Sequence, residues 1–178
     1  NITVYALFSK TLTVNFQSGK PATTESQSYT IYNTATSHTF TAPTAKAIKD
    51  WNVKGWSEYT TATSATTVIS GTTVTVTAAQ GTKTYYALYT QIQTLAYNAN
   101  GGSGAPSTQS GTAYYNANGA QTNVSHTIPT TPIPTRPGYT FKSWNTATNG
   151  SGTDYAVGKT YTNSKQNDTL YAKWTANT

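Results

Sequence analysis

A tripeptide that occurs twice constrains this chain more than any other feature. Ser-His-Thr stands at 37–39 and again at 125–127, an offset of 88 (125 − 37). Carried forward without gaps, the offset sets Phe40 on Ile128, Trp51 on Tyr139, Val53 on Phe141, Lys54 on Lys142 and Trp56 on Trp144. Further on, SGTTV (70–74) meets VGKTY (157–161), and TYYALY (84–89) meets TLYAKW (169–174). Upstream, LTVNFQSG (12–19) meets LAYNANGG (95–102). Such self-similarity means one small supersecondary unit built twice. The expected organisation is two diverged modules, 9–90 and 91–178.

The closing stretch occurs a third time at the start, as ITVYALF (2–8). Val4, Ala6 and Phe8 fall where Tyr85, Ala87, Tyr89 and Leu170, Ala172, Trp174 fall. Residues 1–8 therefore read as the last strand of an upstream repeat, or as an added edge strand on the first module. Asn at position 1 and the lack of Met fit a segment of a longer polypeptide. Alone, such a strand would leave an exposed apolar edge. Paired, it and the short junction at 89–94 would restrict bending between modules.

Within each module the pattern is that of strands. Leu12–Phe16 and Leu95–Tyr97 alternate apolar and polar residues, as half-buried strands do. SYTIYN (28–33) and TAYYN (112–116) read as second strands, and SHTF and SHTI as short third ones. The three prolines of PIPTRPG (132–138) forbid a helix there, and the gapless match extends that reading to TAKAIKD (44–50). WNVKGW and YTFKSW follow as strands, and TVTV and YALY close the module. Helix fits only as a short piece in 19–28 or 103–111. In YTFKSW, Tyr139 and Phe141 share a face and point inward, but Trp144 is three residues on. Trp51, Val53 and Trp56 show the same break. Gly55 or Ser143, just before the Trp, is small enough for a bulge that turns each Trp into the core.

Composition narrows the class. The chain has 178 residues, of which 9% are charged and 12% aromatic. An average soluble domain carries about 25% charge. Thr and Tyr favour strands, and so many aromatics must pack, so the chain is not a charged disordered tail. The fold class is mainly β, α+β at most, with mixed or antiparallel sheets. An uncharged, Thr-rich β-protein without Cys points outside the cell, where its core must suffice without disulfides. No apolar run approaches the roughly 18 residues of a membrane helix, and no leader pattern opens the chain. Net charge is +6, but the basic residues are scattered and include one Arg, which excludes a nucleic-acid stripe. Loose attraction to anionic wall polymers or glycans remains.

LAYNANGG…RPGYTFKSWNT…YAVGKTYT…NDTLYAKW resembles the Listeria–Bacteroides repeat, also called the internalin B-type repeat. The likeness is close over 94–174 and weaker over 12–89, where DWNVKGW replaces RPGYTFKSW. It implies small β-grasp-like modules, in tandem, in secreted or wall-attached bacterial proteins. It implies no enzyme activity and no cofactor, and it transfers no ligand residues.

The candidate sites are few. Ser37–His38 and Ser125–His126 cannot act as nucleophile pairs, because strand neighbours point to opposite faces. One His per module falls short of a zinc site. The acids Glu25, Asp50, Glu58, Asp154 and Asp168 do not recur between copies, so no glycosidase pair emerges within a module. NGSGTD (149–154) suggests a calcium loop but offers one carboxylate, where calcium takes about six to eight oxygens. Lys54 and Lys142 recur without the acid that an isopeptide crosslink needs. Outward positions on the closing strands make Tyr86 and Tyr171, with Tyr114 or Tyr115 beside them, the candidate contact surface. The expected role is an extracellular spacer or adhesion region bound to neighbouring repeats. A carbohydrate-binding module using exposed aromatics on host or wall glycans is the rival.

Overall fold

The computed structural model describes residues 2–62, 69 and 72–178. Every regular element in them is a β-strand, so the mainly-β expectation holds. By internal contacts the chain divides into unit 1, residues 1–90 with 114–122, and unit 2, residues 91–113 with 123–178. The inclusion of 114–122 in unit 1 is not visible in the repeat.

Unit 1 is built on β1 (Ser9–Ser18), β2 (Thr23–Tyr32), β4 (Asn52–Ser57) and the N-terminal part of β6 (Thr82–Asn98). β1 and β2 form an antiparallel hairpin, from Ser9↔Tyr32 to Ser18↔Thr23. β1 then lies parallel to β6, Thr13↔Thr82 to Gln17↔Tyr86, and β4 pairs antiparallel on the far side of β6. The order is β2-β1-β6-β4. Alternation decides what faces in: Leu12, Val14 and Phe16 are fully buried. Thr11, Thr13 and Asn15 face out and bond across the hairpin to Thr30, Ser28 and Ser26. A second layer, β3 (Ser37–Thr41) paired with β5 (Thr73–Thr77), covers the core face with Phe40, Val74 and Val76.

Unit 2 repeats this plan. The C-terminal part of β6 lies parallel to β12 (Asn167–Ala176), and β9 (Tyr139–Asn145) pairs antiparallel with β12. β7 (Gln109–Asn116) pairs with β6, giving the order β7-β6-β12-β9, and β10 (Asp154–Tyr155) extends it beyond β9. β8 (Ser125–Thr127) with β11 (Thr160–Thr162) forms the covering ribbon. Leu95, Tyr97, Ile128, Trp144, Tyr161 and Leu170 fill the core. Neither stretch held open for a helix has one: β2 occupies most of 19–28, and 103–108 is irregular.

Equivalent pairings define the correspondence between units. Trp56 pairs with Ala87 and Trp144 with Ala172, so the closing strands match at an offset of 85 (172 − 87). Phe16 pairs with Tyr85 and Tyr97 with Leu170, so the opening strands match at 81 (97 − 16). The sequence match of 12 with 95 is two residues off. A slip of two keeps every inward residue inward, so alternation alone could not detect it.

Both strands preceding the Trp are bulged, as expected, but one residue earlier. Lys54 and Lys142 are left out of register, while Gly55 pairs with Leu88 and Ser143 with Lys173. The extra residue points to solvent, where a long Lys is tolerated, and both are exposed. The bulge turns Trp56 and Trp144 inward, to 7% and 0% exposure. The indole of Trp56 donates to Pro43 O at 3.1 Å and stands edge-on to Phe16. Trp144 meets Tyr97 and Phe141 edge-on, at 5.0 and 5.3 Å. Tyr139 corrects the reading of its strand: it is exposed, and Phe141 only half-buried. Tyr139 pairs with Ala176 at the strand end, beyond the covering ribbon's reach.

Residues 2–7 take no strand, and their large apolar side chains are exposed. Phe8 alone is tied back, its carbonyl accepting from Asn33 N and its amide donating to Asn33 Oδ1. Asn1 lies outside the described residues.

Trp144→Ala removes the largest fully buried side chain and is expected to cost about 3–5 kcal/mol. Lys142→Ala, at the bulge, should stay within about 0.5 kcal/mol. Urea unfolding of the two variants measures both.

Candidate contact surface

Of the three tyrosines expected to face outward, Tyr115 does not. Tyr86 and Tyr171 are half-buried, and Tyr86 packs on the core of unit 1. Tyr115 is buried at 5% exposure, which removes it as a surface contact. Its ring lies 6.0 Å from that of Trp51 and 5.9 Å from that of Tyr89, with the Lys20 ammonium 4.5 Å from its centre. Burial pushes its phenol pKa up. The reason is local: Tyr115 pairs with Gln121, and Thr122 N donates to Tyr114 O at 2.8 Å, closing 114–122 into a hairpin arm that fills part of the unit 1 core.

The polar groups that suggested chemistry serve as fastenings. Asn145, fully buried, donates from Nδ2 to Gly152 O at 3.0 Å and to Asp154 Oδ1. Its Oδ1 accepts from Ala147 N and Gly152 N. NGSGTD is thus folded around one amide. The Lys173 ammonium sits 3.1 Å from Asp154, where a bound cation would otherwise be invoked. The hydrogen bond from Asn145, and then Lys173, holds the Asp154 carboxyl below the usual range. Asp168, buried, accepts from Tyr161 Oη at 2.9 Å and Ser164 N at 2.7 Å, closing the turn before β12. Glu58 pairs with Lys83. Among the described residues no three His, Cys, Asp or Glu side chains gather at a metal-ligand spacing. His38 stacks on Tyr29 with ring centres 3.6 Å apart, and His126 is buried opposite Tyr161 in the β8–β11 ribbon. Lys54 lies 5.6 Å over the Tyr114 ring, and Lys142 is exposed.

The concave aromatic surface of unit 2 lies elsewhere, where the loop before β9 meets the end of β12. The Arg136 guanidinium lies 4.0 Å over the Tyr139 ring. Trp174 is edge-on to Phe141 and donates from Nε1 to Ala99 O and Asn100 O at 3.1 and 3.0 Å. A groove of about 580 Å³ is lined by Ile133, Pro134, Arg136, Tyr139, Phe141 and Trp174. A hollow of about 250 Å³ beside it adds Asn100 and Ala172. The arrangement offers an apolar slot, one fixed positive charge and a sheet edge. The column reasoning missed it, although the one Arg of the chain, set between prolines, marked the place.

Residues 94–173 match the Listeria-Bacteroides repeat domain. No curated protein and no solved structure matches the chain. The matched repeat is found in bacterial surface proteins, which fits a non-catalytic repeat region.

Two predictions follow from the buried phenols. Tyr97 and Tyr161 are pushed up to about 12, chiefly by burial and for Tyr161 also by its bond to Asp168. An unfolded Tyr ionises near 10. Raised folded-state values mean the unfolded chain loses protons first, so stability should be flat below pH ~10 and fall between pH ~10 and ~12. Melting midpoints across that range test this, and Tyr97→Phe should flatten the fall. Tyr115→Ala should cost about 2–4 kcal/mol, like other large buried truncations. A melt indistinguishable from that of the parent would place Tyr115 outside the unit 1 core.

Proposed function

We propose that this chain is a non-catalytic extracellular repeat region of a bacterial surface protein, acting as a spacer or stalk. It comprises two tandem β-grasp-like modules, 9–90 and 91–178, preceded by residues 1–8, whose sequence carries the closing-strand pattern a third time. The observation that carries the reading is the shared strand plan. β2-β1-β6-β4 and β7-β6-β12-β9 have the same parallel central pair, the same bulged Lys and the same core Trp. One of the two stretches matches a repeat of bacterial surface proteins. In both units the aromatics are spent mainly on small cores that need large side chains. Hydroxyl and amide ladders on the outer face of the β1–β2 hairpin keep it soluble without charge.

The glycan-binding alternative needs a ring face free to stack on a sugar. Trp56 and Trp144 are buried and Arg136 lies over the Tyr139 ring, which leaves the exposed Tyr5, Tyr32 and Tyr59, scattered singly along the sequence, as the rings such binding would use. The spacer reading therefore predicts that the labelled chain gives no saturable signal on glycan arrays or on purified bacterial cell walls. A hit abolished by Tyr171→Ala or Tyr86→Ala, with folding intact by circular dichroism, would replace it with the carbohydrate-binding reading.

A further inference from the structure

We propose that the groove of unit 2 around Tyr139, Ala172 and Trp174 is a docking site for a tyrosine-bearing hairpin arm from a further copy of the repeat, of the kind that residues 114–122 form in unit 1. The inference rests on the tandem-repeat reading but not on what the protein does at the cell surface.

Unit 1 shows what such an arm does. β1 pairs with β6 only as far as Gln17↔Tyr86, which leaves the carbonyl of Ala87 at an open sheet edge. Ala117 N of the arm donates to it at 3.0 Å. Tyr115 enters beside Trp51 and Tyr89 under the Lys20 ammonium. Asn116 Nδ2 donates to Tyr59 O at 2.9 Å and Thr61 O at 3.2 Å, fixing the depth of insertion. This is strand-edge capture combined with an aromatic anchor.

Each receiving position has a counterpart in unit 2. The offsets of 88 and 85 carry Trp51 to Tyr139, Ala87 to Ala172 and Tyr89 to Trp174. All three line the same hollow of about 250 Å³. β6 pairs with β12 only as far as Asn98↔Tyr171, so the edge opens at the matching carbonyl, Ala172 O. That oxygen accepts from the side-chain amide of Asn100 at 3.0 Å, where unit 1 has a backbone N–H from the arm. The cation is matched as well. The 81 offset carries Lys20 to Gly101, and a Cβ on Gly101 would lie 3.4 Å from the Arg136 guanidinium carbon. Arg136 thus holds positive charge where Lys20 holds it in unit 1. Tyr139 is exposed, whereas Trp51 at the filled site is half-buried.

The occupant is fixed by the same comparison. The first repeat has only four residues, 33–36, between β2 and β3, too few for an arm. The second has 117–124 between β7 and β8, and the arm folds from this longer connection. The partner is therefore a repeat of the second kind.

Two experiments on the full chain test this. Labelled peptide TAYYNANGAQT (112–122) should bind chain 1–178 saturably by fluorescence anisotropy. Binding should weaken at least about tenfold with Tyr139→Ala or Arg136→Ala, and with Ala for the tyrosine at 115 in the peptide, as expected for an aromatic anchor. In the second, the chain is lengthened at its C-terminus by another copy of residues 91–178. Tyr139→Ala, made at position 139 alone, should then lower the melting midpoint by on the order of 5 °C, but leave chain 1–178 within about a degree. Equal shifts in the two chains, or peptide binding indifferent to Tyr139, overturns the docking site. The added copy must also contribute its own melting enthalpy. If it does not fold, the tandem-repeat reading fails, and the peptide titration decides the docking site alone.

Discussion

Parallel pairing between the opening and closing strand of each unit brings together residues about 70 positions apart, Thr13 with Thr82 and Thr94 with Asn167. The rest of the structure depends on that pairing. It places Leu12, Val14 and Phe16 beside Tyr85 and Ala87, and Leu95 and Tyr97 beside Leu170 and Ala172. These are the floors on which the Trp side chains and covering ribbons pack. β6 performs both tasks, closing unit 1 with its first residues and opening unit 2 with its last. Along it Tyr85, Ala87, Tyr89, Gln91, Gln93, Leu95 and Tyr97 are all buried on one face, with Leu88 buried on the other. A one-residue slip would turn all seven outward, so the register is strongly held. The two glutamines are accommodated because Gln93 Oε1 accepts from Val124 N at 2.8 Å and its amide donates to Gln91 Oε1.

The bulge in β4 and β9 is the second constraint. Without it, a residue three positions from Phe141 or Val53 would face solvent. Leaving Lys142 or Lys54 out of register reverses the parity and drives the Trp inward. It also separates the strand into a core part and an overhang. The overhang, Trp51 in one unit and Tyr139 in the other, is a place where aromatic surface stays reachable. Its fate differs between units: in unit 1 a hairpin arm covers it, and in unit 2 an Arg side chain lies across it.

The ionisable groups complete a consistent picture. Asp154, Asp168 and Glu58 are each committed to a loop, a turn or a Lys, and the buried amide of Asn145 organises the segment that resembled a cation loop. Groups used this way hold loops in place.

The strand class, the repeat over 94–173 and the bulged Trp could be read from residues, because each rests on a local pattern. The two-residue shift between opening strands could not, since period-two alternation is blind to even slips. Nor could the burial of Tyr115, the exposure of Tyr139 or the groove at Trp174. Those depend on which strand ends first along a parallel pair, and so on which carbonyl and which ring are left open. By itself the sequence determined a mainly-β chain that carries a surface-protein repeat over 94–173. Only the tertiary structure decided that residues 114–122 complete unit 1, because a hairpin arm shows its destination through contacts with chain 26 (115 − 89) to 101 residues away, and no local pattern encodes them.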